Sequence, residues 1–258
     1  MANPASHATL DYTASARVAH ATFARPETGN SLSEESLDDL NDVVARVQED
    51  HDLRALVLRG QGDTFSVGLD DELIDAAFSD LEYYENVLTR VAATCLSLEA
   101  LDVPVIAAVN GTASEVGFEL ALACDLIVIA DEAMIGDGRG EQGRVPGGGA
   151  TVRLPRTVGA QRAREIIYSA RLLSGTEAAA IGLALRSVPL AQLDAAVAEI
   201  TSSFADKSRH ALATARARIV NGVALLELAG IHAEKYQFAR IHVRPKLERQ
   251  RTKFIVVV

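Results

Sequence analysis

Residues 103–136 read VPVIAAVNGTASEVGFELALACDLIVIADEAMIG. The opening VPVIAAV, closed by Asn110 and Gly111, is a short apolar run bounded by turn residues, the pattern of a strand buried on both faces. GFELALACD (117–125) reads as a short helix, and LIVIA (126–130) as another buried strand. Strand, helix, strand in this order is a β-α-β unit with a crossover. Where the first strand passes into the helix, the N–H groups near Val116 and Gly117 stand at a helix N-terminus with no partner one turn back. That is a place for an anion or an oxyanion. A glycine-rich loop also serves simply as a turn, and composition alone leaves both readings open.

The same alternation extends N-terminally. ARVAHATF (16–23) reads as a strand. RPETGNSLSEESL turns and starts a helix, with Ser31 and Glu34 at capping-box spacing and Leu37, Leu40, Val43, Val44 and Val47 at helical spacing. LRALVLRG (53–60) is a further buried strand, GQGDTFSVGLD a loop, and 72–100 a helix broken near Asp80. C-terminally, AMIGDGRGEQGRVPGGGATVRL (133–154) is glycine-rich and charged, GAQRAREIIYSAR and GTEAAAIGL are helical, and ALRSVP reads as a last strand. From Leu190 the pattern is helical, with an amphipathic stretch near 210–229. The expected division is a core with the active site over 1–190 and a helical region over 191–258.

Composition narrows the function. In 258 residues there are 25 Lys and Arg against 35 Asp and Glu, a net charge of −10 that argues against general nucleic-acid binding. No run approaches the ~20 apolar residues of a membrane span. The N-terminus has no signal-peptide pattern, so a cytoplasmic protein is expected. Cys95 and Cys124 lie in apolar stretches and read as buried free thiols, and no metal-ligand cluster appears. A Rossmann dinucleotide enzyme is excluded, because no G-x-G-x-x-G opens a helix after the first strand.

Taken in order, 103–136 followed by VPGGGATVRLPRTVG closely resembles the crotonase superfamily, which includes the enoyl-CoA hydratases and isomerases. FARPETGNSLSEESLDDL looks like that family's first turn and helix, and LRALVLRGQGDTFSVGLDD like its second strand and first oxyanion loop. The resemblance runs from about residue 16 to 190. It implies an α/β fold, a spiral of repeated β-β-α turns followed by C-terminal helices that build homotrimers, often paired into hexamers. It also implies a chemistry in which two backbone N–H groups bind an acyl oxygen and stabilise an enolate. By position these are the N–H groups of Leu69 and Val116, with Gly117 allowing the close approach and Gly68 a candidate substrate-binding residue. The substrate implied is an acyl thioester carrying coenzyme A, with no tightly bound cofactor.

The resemblance places the first of the hydratases' two glutamates on Glu119, whose plain reading is a solvated or capping helix carboxylate. The second falls on Arg139, which stays protonated and cannot act as a general base. Asp137 and Glu141 are candidate replacements. Arg139 is expected either to bind a substrate carboxylate or carbonyl oxygen or to pair with Asp137 or Glu141. Where many members carry a lysine for the nucleotide, this chain has Asp70, Asp71 and Glu72, leaving Arg25 or a basic C-terminal residue to compensate. GDG followed by VPGGGATV is also similar to the 6-oxocamphor hydrolase-like enzymes, which cleave cyclic β-diketones without coenzyme A. Their catalytic aspartate and histidine, however, fall on Gly148 and Arg139. The third alternative is a catalytically silent scaffold that works through its oligomer interfaces.

Overall fold

The computed structural model describes residues 7–219. A hairpin of β1 (Leu10–Ser15) and β2 (Val18–Phe23) leads to α1 (Glu34–Glu49). Turns of one plan follow: a long strand, a sharp step, a three-residue strand and helix. They are β3 (Ala55–Gly60), β4 (Thr64–Ser66), α2 (Asp71–Ser79) and α3 (Leu81–Ala100); then β5 (Val105–Val109), β6 (Thr112–Ser114) and α4 (Glu115–Ala123); then β7 (Leu126–Ala130), β8 (Met134–Gly136), α5 (Ala150–Val158) and α6 (Ala160–Ser169). β9 (Leu173–Ser174), α7 (Gly175–Ala180), β10 (Arg186–Val188), α8 (Leu193–Ala205) and a helical run over 209–219 complete the described chain.

The long strands form one sheet in the order β1-β2-β3-β5-β7-β10, and the short ones a second, β4-β6-β8-β9. Pairing is parallel except at β1/β2 and β8/β9. The α/β spiral is therefore as expected. Asn110 clamps one step between the sheets: its Oδ1 accepts from Gly60 N at 3.0 Å and its Nδ2 donates to the Gly62 carbonyl at 2.9 Å.

The main core lies between the sheets and the helices, with Phe65 and Phe118 fully buried. Phe23 meets Phe65 edge to face at 5.6 Å between ring centres, a favoured aromatic geometry. On the other face of the long sheet, Val57, Ile106 and Val128 are covered by Leu193, Val197 and Ile200 of α8. The first helix past residue 190 thus packs on the spiral itself. Most of 191–258, with part of the amphipathic stretch near 210–229, lies outside the described residues.

Several local expectations shift. β1 is an edge strand that periodicity did not reveal. The cap of α1 is Ser33 with Ser36, not Ser31 with Glu34, because Ser31 turns its hydroxyl to Asp70. Asp80 does break the long helix, and its carboxylate accepts from Glu82 N and Tyr83 N. Neither Cys95 nor Cys124 forms a disulfide, and Cys124 is only half-buried.

Arg216 ties the 209–219 run to the core. Its Nε meets Asp125 Oδ2 at 2.7 Å, and its guanidinium donates to the carbonyls of Leu98 at 2.8 Å and Leu101 at 2.7 Å. These carbonyls lie at the end of α3, where intrahelical partners run out. Arg216→Ala removes these bonds and the cation beside Asp125, which keeps only the Val105 N–H, and is expected to cost about 3 kcal/mol in urea denaturation. Arg216→Lys should recover only part, since lysine lacks the fork.

Candidate functional site

The β4 loop and the start of α4 meet at Gly68 and Gly117. Leu32 bridges in parallel to Leu69, its N–H donating to the Gly68 carbonyl and its carbonyl accepting from Asp70 N. In a bridge of this kind the N–H of the intervening residue, Leu69, faces the other way. Val116 is the second residue of α4, where a helix N–H has no partner one turn back. Gly117 lies so close to β4 that a Cβ there would stand 2.1 Å from the Ser66 carbonyl oxygen. Gly68 has φ +115, and a Cβ there would stand 3.3 Å from Val116 N and 2.7 Å from Glu115 Cβ. The two expected donors therefore border one small space.

That space opens on a cavity of about 650 Å³ bordered by Leu69, Asp71, Asp75, Ser114, Glu115 and Arg144, among others. A second hollow, about 400 Å³, adjoins it at Val67, Leu69 and Asp71 and reaches Arg25 and Asp70.

Glu119, three residues beyond Val116 on α4, is completely buried. Its Oε1 accepts from Gly148 N at 2.8 Å and Ala150 N at 3.1 Å. Arg139 Nη2 stands 3.0 Å from Oε2, but without the alignment of a hydrogen bond, so Oε2 accepts none. The turn that presents these N–H groups is held by buried Arg153, which donates from Nη1 to the Gly148 carbonyl at 2.8 Å and from Nε to Glu99 at 2.7 Å.

Arg139 points inward rather than to the surface. It pairs with Asp137, its Nε donating to Oδ1 at 2.7 Å, and with Glu119. Burial alone would lower its pKa, but Glu119 and Asp137 outweigh burial and raise it, so it stays charged. Burial pushes the Asp137 carboxyl up despite the opposing Arg139. It does the same to Glu115 despite Arg144, which grips it through Nη2 at 2.5 Å and Nη1 at 3.2 Å.

Of the other expected residues, Glu141 is exposed on its 3₁₀ turn and joins none of these pairs. Arg25 is already committed: its Nη1 donates to Asp70 at 2.9 Å and to the Ser31 carbonyl at 2.9 Å. The expected compensation for the acidic rim is thus spent on Asp70. Glu115, Arg144 and Arg153 lay in stretches already singled out, but no spacing rule marked them, because their partners come from other loops.

Raised carboxyls set a sign for the pH dependence. Asp137 and Glu115 keep their protons to a higher pH in the folded chain than in the unfolded one, so they contribute stability at low pH that is lost as pH rises through their raised pKa values. Urea midpoints followed upward from about pH 4 should show this fall, and Asp137→Asn should flatten it.

The sequence profile of the enoyl-CoA hydratase/isomerase family matches residues 13–255. The chain is 33% identical to the mitochondrial methylglutaconyl-CoA hydratase of Rattus norvegicus over 225 residues, which cover 85% of this chain and 71% of that one. It is 32% identical to the crotonyl-CoA hydratase of Syntrophomonas wolfei over 207 residues, 77% and 76% of the two chains. The crystal structure of an enoyl-CoA hydratase from Bacillus anthracis superposes with a TM-score of 0.80 at 31% identity, covering 94% of this chain and 95% of that one. Profile, sequence and fold agree with the resemblance carried by 103–136: the chain belongs to the enoyl-CoA hydratase/isomerase family, within the crotonase superfamily.

Proposed function

We propose that this enzyme acts on an acyl-CoA thioester by way of an enolate, as a hydratase (a lyase) or a double-bond isomerase. The N–H groups of Leu69 and Val116 bind the thioester oxygen, and Glu119 handles the proton. The observation that carries the reading is the close approach at Gly68, next to Leu69 on the wall of the 650 Å³ cavity, where a Cβ would stand 3.3 Å from Val116 N. Donors fixed by the backbone need no reorganisation as charge builds on the oxygen, and each is worth roughly 3 kcal/mol in the transition state.

Arg139 does not replace the second glutamate as a base. It holds Glu119 and Asp137 in a buried ion-paired cluster and supplies no carboxylate at its own position, which favours an isomerisation or a related step over the family's two-glutamate hydration. The β-diketone hydrolase reading is disfavoured at Gly148, where a Cβ would stand 2.7 Å from Glu119 Oε2 and leaves no room for an aspartate. Coenzyme A enters as part of the substrate, and a homotrimer or dimer of trimers is the assembly we expect.

The test is a calorimetric titration with acetoacetyl-CoA and with the matching pantetheine thioester. Binding that needs the nucleotide half supports the reading, and no binding to either overturns it. Glu119→Gln is expected to lower kcat about 10²-fold or more with KM little changed; full turnover in that variant would remove Glu119 from the mechanism.

A further inference from the structure

Glu115 is the one non-glycine residue of α4 with a positive φ, +50. An L-residue pays roughly 1 kcal/mol for that conformation, whereas a glycine takes it freely. Strain of this kind persists where the side chain is put to use.

The side chain is well placed for use. A Cβ on Gly68 would stand 3.3 Å from Val116 N and 3.3 Å from Glu115 Oε2. A hole donor and a carboxylate oxygen thus border the same small space. Glu115 also lines the cavity beside Leu69, Ser114 and Arg144, which donates to both its oxygens, whereas Glu119 sits one turn deeper on α4, its Oε1 held by Gly148 N and Ala150 N.

The charges around Glu115 favour proton uptake. Arg144 and Arg139 face it from the 137–149 loop, together with Asp137; Tyr84 faces the cluster from α3, Glu119 lies on its own helix, and Asp71 and Asp75 stand across the cavity on α2. The buried carboxylates Glu119 and Asp137 and the half-buried Glu115 share two guanidinium groups, those of Arg139 and Arg144, leaving one negative charge in excess. A buried cluster of that charge gains by taking up a proton.

We propose that Glu115 is a second proton-transferring carboxylate of the site, acting on the carbon next to the carbonyl held by Leu69 and Val116; this rests on the acyl thioester reading above. The ionised carboxylate takes a proton from the α carbon. The C–H electron pair forms the new carbon–carbon π bond, and the carbonyl π pair moves onto the oxygen held by the two N–H groups. Returning the proton to the same carbon restores the substrate. Returning it to the γ carbon of a 3-enoyl thioester completes its conversion to the 2-enoyl isomer. No oxidant or co-reactant is required.

The experiment measures solvent-deuterium exchange at the α carbon of butyryl-CoA, by mass spectrometry and across pH, for the full chain and its Glu115→Gln and Glu115→Gly variants. Glu115→Gly is the control for folding, since glycine suits the backbone angle. Both variants are expected to lose about 10²-fold or more in the exchange rate constant with little change in KM, and to lose the limb of the pH profile that Glu115 governs. Glu115→Gly exchanging at the wild-type rate with the wild-type profile would overturn the proposal while leaving the acyl thioester reading intact. Absence of exchange by the wild-type chain would overturn both.

Discussion

Gly117→Ala is expected to abolish most turnover while leaving the residues proposed for proton transfer untouched. The added methyl would stand 2.1 Å from the Ser66 carbonyl oxygen and 2.8 Å from its carbonyl carbon. Both are backbone atoms of β4 and cannot swing away as a flexible side chain would. The start of α4 must therefore back off from β4. Val116 N belongs to the part that moves, and Leu69 N lies three residues beyond Ser66 on the part that stays. Separating the donors forfeits roughly 3 kcal/mol of enolate stabilisation, about a hundredfold in kcat. Overpacking adds about 1–3 kcal/mol of destabilisation. Steady-state kinetics on the acyl-CoA substrate and thermal unfolding check the two parts separately. An unchanged kcat in a folded variant would remove the close approach at Gly117 from the account.

Arg139→Ala is expected to be the most damaging change to stability in the site. It strips the cation from two buried carboxylates, Glu119 and Asp137, and breaking a buried pair from one side costs about 3–5 kcal/mol. The loss should depend on pH with a definite sign. Without the guanidinium the carboxyls are easier to protonate, so the deficit is expected to be smaller at about pH 5 than at about pH 8. Denaturant midpoints at the two pH values measure it. A deficit that is small and independent of pH would mean that Arg139 does not neutralise the cluster. Arg139→Met, which fills the volume without the charge, should share the pH dependence and lose less packing.

The long strands were legible because β3, β5 and β7 are short apolar runs closed by turn residues, and burial on both faces leaves no polar interruption. The second sheet was not legible. β4, β6 and β8 have three residues each, too few to show a period of two. β1 exposes most of its residues, so its sequence carries no buried stripe. The α1 cap was misplaced because Ser31 and Ser33 both stand ahead of a suitable residue, and only the long-range pull of Asp70 separates them.

In the site, sequence located the loop that carries Leu69 and the helix start that carries Val116 and Glu119, because strand ends and helix starts are local features. It left Arg139 between surface and pocket, because its partner Glu119 arrives from another turn of the spiral. Arg25 read as an available cation for the same reason: Asp70, which occupies it, lies 45 residues away. Glu115 was passed over because its importance rests on a backbone angle and on contact with Gly68, neither of which spacing encodes.

The central claim is that the N–H groups of Leu69 and Val116 stabilise an enolate. Acetoacetyl-CoA tests it directly, since its enolate and its neutral ketone differ in ultraviolet absorption. The account predicts that the bound ligand shows the enolate band at a pH where the free ligand is neutral, and that Gly117→Ala loses the band. A ligand that binds tightly yet keeps the neutral spectrum would contradict it.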